Sequence, residues 1–170
     1  MLACVDVDYR EDHDPPFAVA AGVVFDDWAS DQAAAEHVQK ISEIAPYVPG
    51  QLYRRELPCL LAVLEQITQP LDAIVVDGYA FLDAQGRPGL GAHLHAALDG
   101  TIPVVGVAKN YFRGSAAIEI HRGGSSRPLL VTAVGLSAQQ AAQGITRMHG
   151  PHRLPTLLKR VDRLCRDAWR

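Results

Sequence analysis

Two short stretches restrict this chain more than any other feature. "DAIVVDG" (72–78) and "IPVVGVAKN" (102–110) are each a nearly unbroken apolar run that stops at a polar or charged residue. Runs of this length suit strands better than helices, and a strand without alternation has no face to give to water. Such strands lie inside a sheet covered on both sides, and parallel neighbours need a helical crossover between them. The chain supplies the helices. "LPCLLAVLEQI" (57–67), with a proline near its start and apolar residues at helical spacing, precedes the first run, and "GLGAHLHAALD" (89–99) separates the two.

The flanking segments extend this pattern. "LACVDVDY" (2–9) and "FAVAAGVVF" (17–25) are apolar strands joined by the turn "DHDPP" (12–16), so residues 2–25 are expected to form a hairpin. Residues 31–44 leave two readings open: "DQAAAEHVQK" has helical composition, and a third strand around Glu36–Ile44 fits as well. Residues 115–121 and 128–134 suit two further strands about the "RGGSSRP" turn, and Ser137 can cap a helix over "SAQQAAQGITRM". "LPTLLKRVDRLCRDAWR" closes the chain as an amphipathic helix with Leu157, Leu158, Val161 and Leu164 on one stripe. The expectation is one α/β domain over residues 1–170. Its mixed sheet would have an antiparallel N-terminal ribbon, a mainly parallel continuation and helices packed on it.

Bulk properties exclude several classes. A chain of 170 residues with 48% apolar and 21% charged residues suits a single core. The net charge of −3 gives no support to a strongly basic nucleic-acid binder, although local cations or bridging metal ions would still allow one. Cys4, Cys59 and Cys165 are odd in number and widely spaced, which argues against a disulfide framework or a zinc site and fits a reduced cytoplasm. No apolar run reaches transmembrane length, so no membrane partner is expected, and the N-terminus lacks the pattern of a signal peptide.

Ligands on sheets of this kind collect at the carboxyl ends of the parallel strands. Asp77 ends one such strand and Lys109 the other. Asp6 and Asp8, two residues apart on the first strand, point to one face. Glu56 stands where the "PYVPG" loop becomes a helix. Taken singly, each acid is more simply a solvating group at the end of an element, and the helix dipole alone favours Glu56 in a first turn. Brought together, such carboxylates repel one another unless a cation intervenes, and their hard oxygens suit Mg²⁺ or Mn²⁺.

Four segments give the chain a family resemblance. "VDVDY", "PYVPGQLYRRELP", "VVDGYA" followed by "LGAHL", and "TIPVVGVAKN" resemble, in this order, the motifs of the endonuclease V family, deoxyinosine-specific nucleases with a ribonuclease H-like fold. The resemblance implies a metal-dependent endonuclease acting near a deaminated purine in DNA or RNA. It assigns Asp6, Glu56 and Asp77 to Mg²⁺ or Mn²⁺ and Lys109 to a supporting cationic role. Pro46, Tyr47, Val48 and Pro49 would be the wedge inserted at the lesion. Gly50, Leu52, Gly78, Ala80 and Ala108 would line the pocket that receives the base. It carries no oligomeric state.

The chain also departs from the family. VDGHG is here "VDGYA", so a histidine becomes Tyr79 and a glycine becomes Ala80, whose methyl is expected to crowd the base pocket. A histidine six residues after the strand-end Asp becomes Asp83. The late acidic segment matches "GLSAQQAA", with Gln139 or Gln140 where a fourth carboxylate is expected, so that acid is read as lost, with Asp8 and Asp83 as candidate replacements. The chain begins almost at its first strand, and the region between Lys109 and Leu129 is reduced. Two alternatives stay open: a nuclease of the same fold with a changed substrate, and a non-catalytic nucleic-acid-binding protein.

Overall fold

The computed structural model describes residues 1–170. Seven strands form one sheet: β1 (Leu2–Arg10), β2 (Phe17–Phe25), β3 (Ala35–Ile41), β4 (Ala73–Asp77), β5 (Val104–Ala108), β6 (Ile118–Ile120) and β7 (Leu129–Val134). Their spatial order is β3-β2-β1-β4-β5-β7-β6. β1, β2 and β3 run antiparallel in succession, β1 is parallel to β4, β4 is parallel to β5, and β7 and β6 return antiparallel. The open segment around residues 31–44 therefore resolves as a strand. β-Branched Val38 and Ile41 pack on the sheet while the helix-favouring alanines fall before and at its start, so edge pairing with β2 outweighs local propensity.

Four helices cover both faces: α1 (Leu52–Leu64), α2 (Leu90–Ala97), α3 (Ala138–Arg147) and α4 (Thr156–Asp167). On one face Val5, Ala18, Ala20, Ile74, Val76 and Val104 meet Leu60 and Val63 of α1 and Leu94 of α2. On the other, Cys4, Ala21, Val23, Val75, Val105 and Val131 meet Ile145 of α3 and Leu157, Val161 and Cys165 of α4. Successive residues of β2, β4 and the first half of β1 thus serve opposite cores, which is why these stretches show no polar alternation. Ser137 caps α3 through a reciprocal bond with Gln140. In α4, Leu157 and Val161 are buried and Leu158 and Leu164 pack at the edge of the core. No helix is long and apolar enough to cross a membrane.

The structure corrects the start of α1. The helix begins at Leu52, so Pro58 lies inside it and Glu56 sits beyond the first turn. Pro58 is on the exposed side of the helix. Its missing amide removes one bond to the preceding turn, and the packing of Cys59, Leu60 and Val63 against the sheet carries the helix through the break.

Candidate active site

Parallel pairing of β1 with β4 sets the site. Val5 is opposite Val76, so the next residues, Asp6 within β1 and Asp77 at the end of β4, stand side by side on adjacent strands. Lys109 follows β5 at that end of the sheet, and α1 brings Glu56 over it. All four line one cleft of about 860 Å³, together with Asp8, Asp162 and Arg166.

Burial and neighbouring charge oppose the ionisation of Asp6 and Glu56. Burial, and then the neighbouring Asp77, push the Asp6 carboxyl up to about 6, against an amide bond from Val7 to its Oδ1 (2.9 Å). Burial, followed by Asp6 and Asp77, pushes Glu56 up to about 7. Burial works against the Lys109 ammonium, but its 2.6 Å bond to Asp77 Oδ2 and that carboxylate's charge prevail and raise it. Arg55 does little to offset Glu56, because its guanidinium is turned to the Glu11 carboxylate and stands 4.1 Å from the Tyr9 ring centroid. A half-buried set of hard oxygen donors with too little positive charge is the chemistry that suits Mg²⁺ or Mn²⁺. Three acidic side chains are not gathered into a single metal cluster as they stand. One Asp77 oxygen is instead engaged by Lys109.

Other residues singled out in the sequence fall into three groups. Gly50, Leu52 and Gly78 line the cleft. Pro46, Tyr47, Val48 and Pro49 are all exposed in the segment leading into α1, with Tyr47 60% exposed. Ala108 and Ala80 are buried and outside the cleft lining. For both this corrects the expected place in the base pocket, and the surroundings of Ala80 show why. Its amide donates to Thr132 Oγ1 (2.8 Å), its carbonyl accepts from Gly89 (2.9 Å) and Ala92 (3.2 Å), and its methyl belongs to the core. The reading of a lost fourth carboxylate is corrected too. Asp162 of α4 reaches the same cleft and adds its charge to that felt by Asp6. Of the two proposed replacements, Asp8 lines the cleft but is paired with Arg10, and Asp83 is turned to Arg87 and its own turn.

Sequence reasoning missed Asp162 because it is one of several charges on the polar side of an amphipathic helix. Its signal was only that α4 must pack beside β1 to bury Val161 and Cys165. Also missed was an aromatic and cationic wall made by Tyr53, Arg54, Arg87, His93 and Phe112. Tyr53 and His93 are stacked across α1 and α2, with centroids 3.7 Å apart and planes 10° from parallel.

A family model described as Endonuclease V matches residues 1–149. Endonuclease V of Streptomyces coelicolor is 36% identical over 190 aligned residues, covering 98% of this chain and 78% of that protein. The crystal structure of endonuclease V from Streptomyces avermitilis superposes with a TM-score of 0.78 at 32% identity, covering 98% of this chain and 80% of that one. Ciona intestinalis endonuclease V, solved with a 24mer DNA containing an inosine followed by a ribo-adenosine, shares the fold at a TM-score of 0.81 and 18% identity, covering 98% and 84%.

Proposed function

Because this chain belongs to the endonuclease V family, we propose that it is a metal-dependent endonuclease that hydrolyses a phosphodiester of DNA or RNA near a deaminated purine. The observation that carries this reading is the cleft that gathers Asp6, Glu56 and Asp77 from three separate elements beside Lys109, with the Asp6 and Glu56 carboxyls pushed up by burial and by their acidic neighbours. These three carboxylates would hold Mg²⁺ or Mn²⁺. A bound ion supplies an activated water and neutralises charge at the scissile phosphate.

The protein's own groups do the rest. Lys109, held on Asp77, keeps an ammonium at the wall where a phosphate oxygen enters. Arg153 fixes the turn behind it by donating to the carbonyls of Lys109 and Pro128, both at 2.7 Å. Asp162 adds negative charge on the α4 side of the cleft and so favours a cation there. The exposed Pro46–Gly50 segment carries Tyr47, a ring free to enter a strand at the lesion. Inosine as the lesion is supported by the DNA held by the Ciona relative.

The test is a cleavage screen with labelled oligonucleotides bearing inosine, uracil or an abasic site, in Mg²⁺ and in Mn²⁺. The expected result is cleavage near inosine that stops with a chelator and with Asp77→Asn. Metal-independent cleavage, or full activity in Asp77→Asn, would contradict the proposal.

A further inference from the structure

The segment Lys109-Asn110-Tyr111-Phe112-Arg113 joins β5 to the rest of the sheet edge and borders the cleft. Lys109 and Phe112 line the cleft, and Tyr111 between them points outward. At 66% exposure Tyr111 is the most exposed large apolar side chain of the protein.

The backbone under Tyr111 is fixed. Tyr79 Oη donates to the Asn110 carbonyl (2.8 Å) and accepts from the Phe112 amide (2.9 Å), bracing the loop on both sides of Tyr111. A second brace comes from Asp83. Its Oδ1 accepts from the amides of Gln85 and Arg87, both at 3.1 Å, and its Oδ2 pairs with Arg87 Nε at 3.2 Å. That turn holds the Arg87 guanidinium 5.4 Å from the Phe112 ring centroid, while the Ala84 amide bonds to the Gly114 carbonyl (3.1 Å). Two positions where the chain departs from the family motifs, Tyr79 and Asp83, therefore support one surface feature. Neither touches Asp6, Glu56 or Asp77 through a hydrogen bond or ion pair.

We propose that residues 110–113 form a rigid aromatic lip on which an unpaired nucleobase of the bound strand stacks, with Tyr111 as the platform and Tyr79 as its positioning residue. The proposal rests on the nuclease reading above. A nucleobase offers an aromatic face to Tyr111, and its phosphates meet Arg113, which makes no ion pair, beside Lys109 and Arg87, which stand on Asp77 and Asp83. A pre-fixed loop loses little entropy on binding, which favours contact with a flexible strand. The lip is separate from Tyr47, which leads into α1, so the strand would be held at two aromatic points attached to different elements.

The experiment is fluorescence anisotropy with the full chain and a labelled single-stranded oligonucleotide in Ca²⁺, with strand integrity checked on a gel. Tyr111→Ala, Tyr111→Trp and Tyr79→Phe are compared with wild type, and melting temperatures are recorded. Tyr111→Ala should weaken binding by about 5- to 150-fold, the range of a base–aromatic stack, with an unchanged melting temperature. Tyr111→Trp should retain affinity and gain indole quenching on binding. Tyr79→Phe should weaken binding while keeping its ring packing. On an abasic strand of equal length, Tyr111→Ala and wild type should bind alike. Equal binding of Tyr111→Ala and wild type to the base-bearing strand overturns the lip and leaves the nuclease reading standing. A loss that persists on the abasic strand overturns stacking as its cause. If wild type binds no strand, the lip and the nucleic-acid reading fail together.

Discussion

Ala80 is enclosed by glycines. A β-carbon at Gly91 would stand 2.8 Å from Ala80 Cα, and one at Gly106 would stand 2.5 Å from its amide nitrogen. These neighbours have yielded the space that the Ala80 side chain and backbone occupy, so the methyl sits in the core. Ala80→Gly should therefore cost about 1–2 kcal/mol, from a lost buried methyl and a looser backbone. It should not raise inosine cleavage selectively. Denaturant midpoints and paired rates on inosine and unmodified oligonucleotides check this, and a selective gain in rate would return Ala80 to the base pocket. At Tyr47 the expectation is the reverse. Its side chain is mostly in water, so Tyr47→Ala should leave stability within about 0.5 kcal/mol while weakening binding to a lesion-bearing duplex by roughly 1–3 kcal/mol. Equal binding by the two proteins would remove the wedge. The motif places residue 80 in sequence but not in depth. Depth comes from the three hydrogen bonds that turn Ala80 inward, and each has a partner remote from the "VDGYA" segment.

Among the elements, β4 and β5 were plain in the sequence because both faces of each are covered, leaving unbroken apolar runs. The N-terminal hairpin was legible for the same reason, and α4 because its buried stripe writes a helical period into the chain. β3 was not. It is an edge strand with only partial burial, and its composition favours a helix more than its pairing does. The start of α1 was misplaced because proline is ordinarily a first-turn residue, and here α1 continues through Pro58 on its exposed side. One element contact governs the site geometry. A β-carbon at Gly106 of β5 would also lie 2.6 Å from the Gly78 carbonyl and 2.8 Å from Thr132 Oγ1. Gly106→Ala must then push away the turn that follows Asp77 and loosen the Ala80–Thr132 bond. The expected cost is at least about 1–3 kcal/mol of stability, with lower nuclease activity in the folded fraction. A variant as stable and as active as wild type would show that β5 does not set the position of Asp77.

At the scale of the whole molecule, a net charge of −3 hides an uneven distribution. Asp6, Asp8, Glu56, Asp77 and Asp162 meet at one cleft, beside a wall bearing Arg54, Arg87 and Lys109. The acid cluster has a consequence for stability. The carboxyls of Asp6 and Glu56 are raised to about 6 and about 7, above their ordinary values. Over pH 4 to 7 the folded protein thus holds more protons than the unfolded chain, and stability falls as pH rises through that window. In a chelator, the melting temperature should be higher at pH 5 than at pH 8 by several degrees, at about 2–4 °C per kcal/mol for a domain of this size. Saturating Mn²⁺ at pH 8 should recover most of the difference, and a metal-free melting temperature that rises from pH 5 to pH 8 would contradict the assignment of Asp6 and Glu56.

The family was legible because motif residues are fixed in type and order, and the same motifs pointed to Asp6, Glu56 and Asp77, which meet at one cleft. Asp162 and the Tyr79–Asp83 support of the 110–113 loop were not, because they depend on packing between segments far apart in the chain. Calorimetric titration of Mg²⁺ and Mn²⁺ into wild type and Asp77→Asn tests the central claim, that Asp6, Glu56 and Asp77 form one cation site, most directly. Wild type should bind the ions and release protons at pH 6.5, seen as a dependence of the heat on buffer ionisation that fades by pH 8.5, and Asp77→Asn should bind at least tenfold more weakly. Equal binding by the two proteins, or binding with no proton release at pH 6.5, would contradict it.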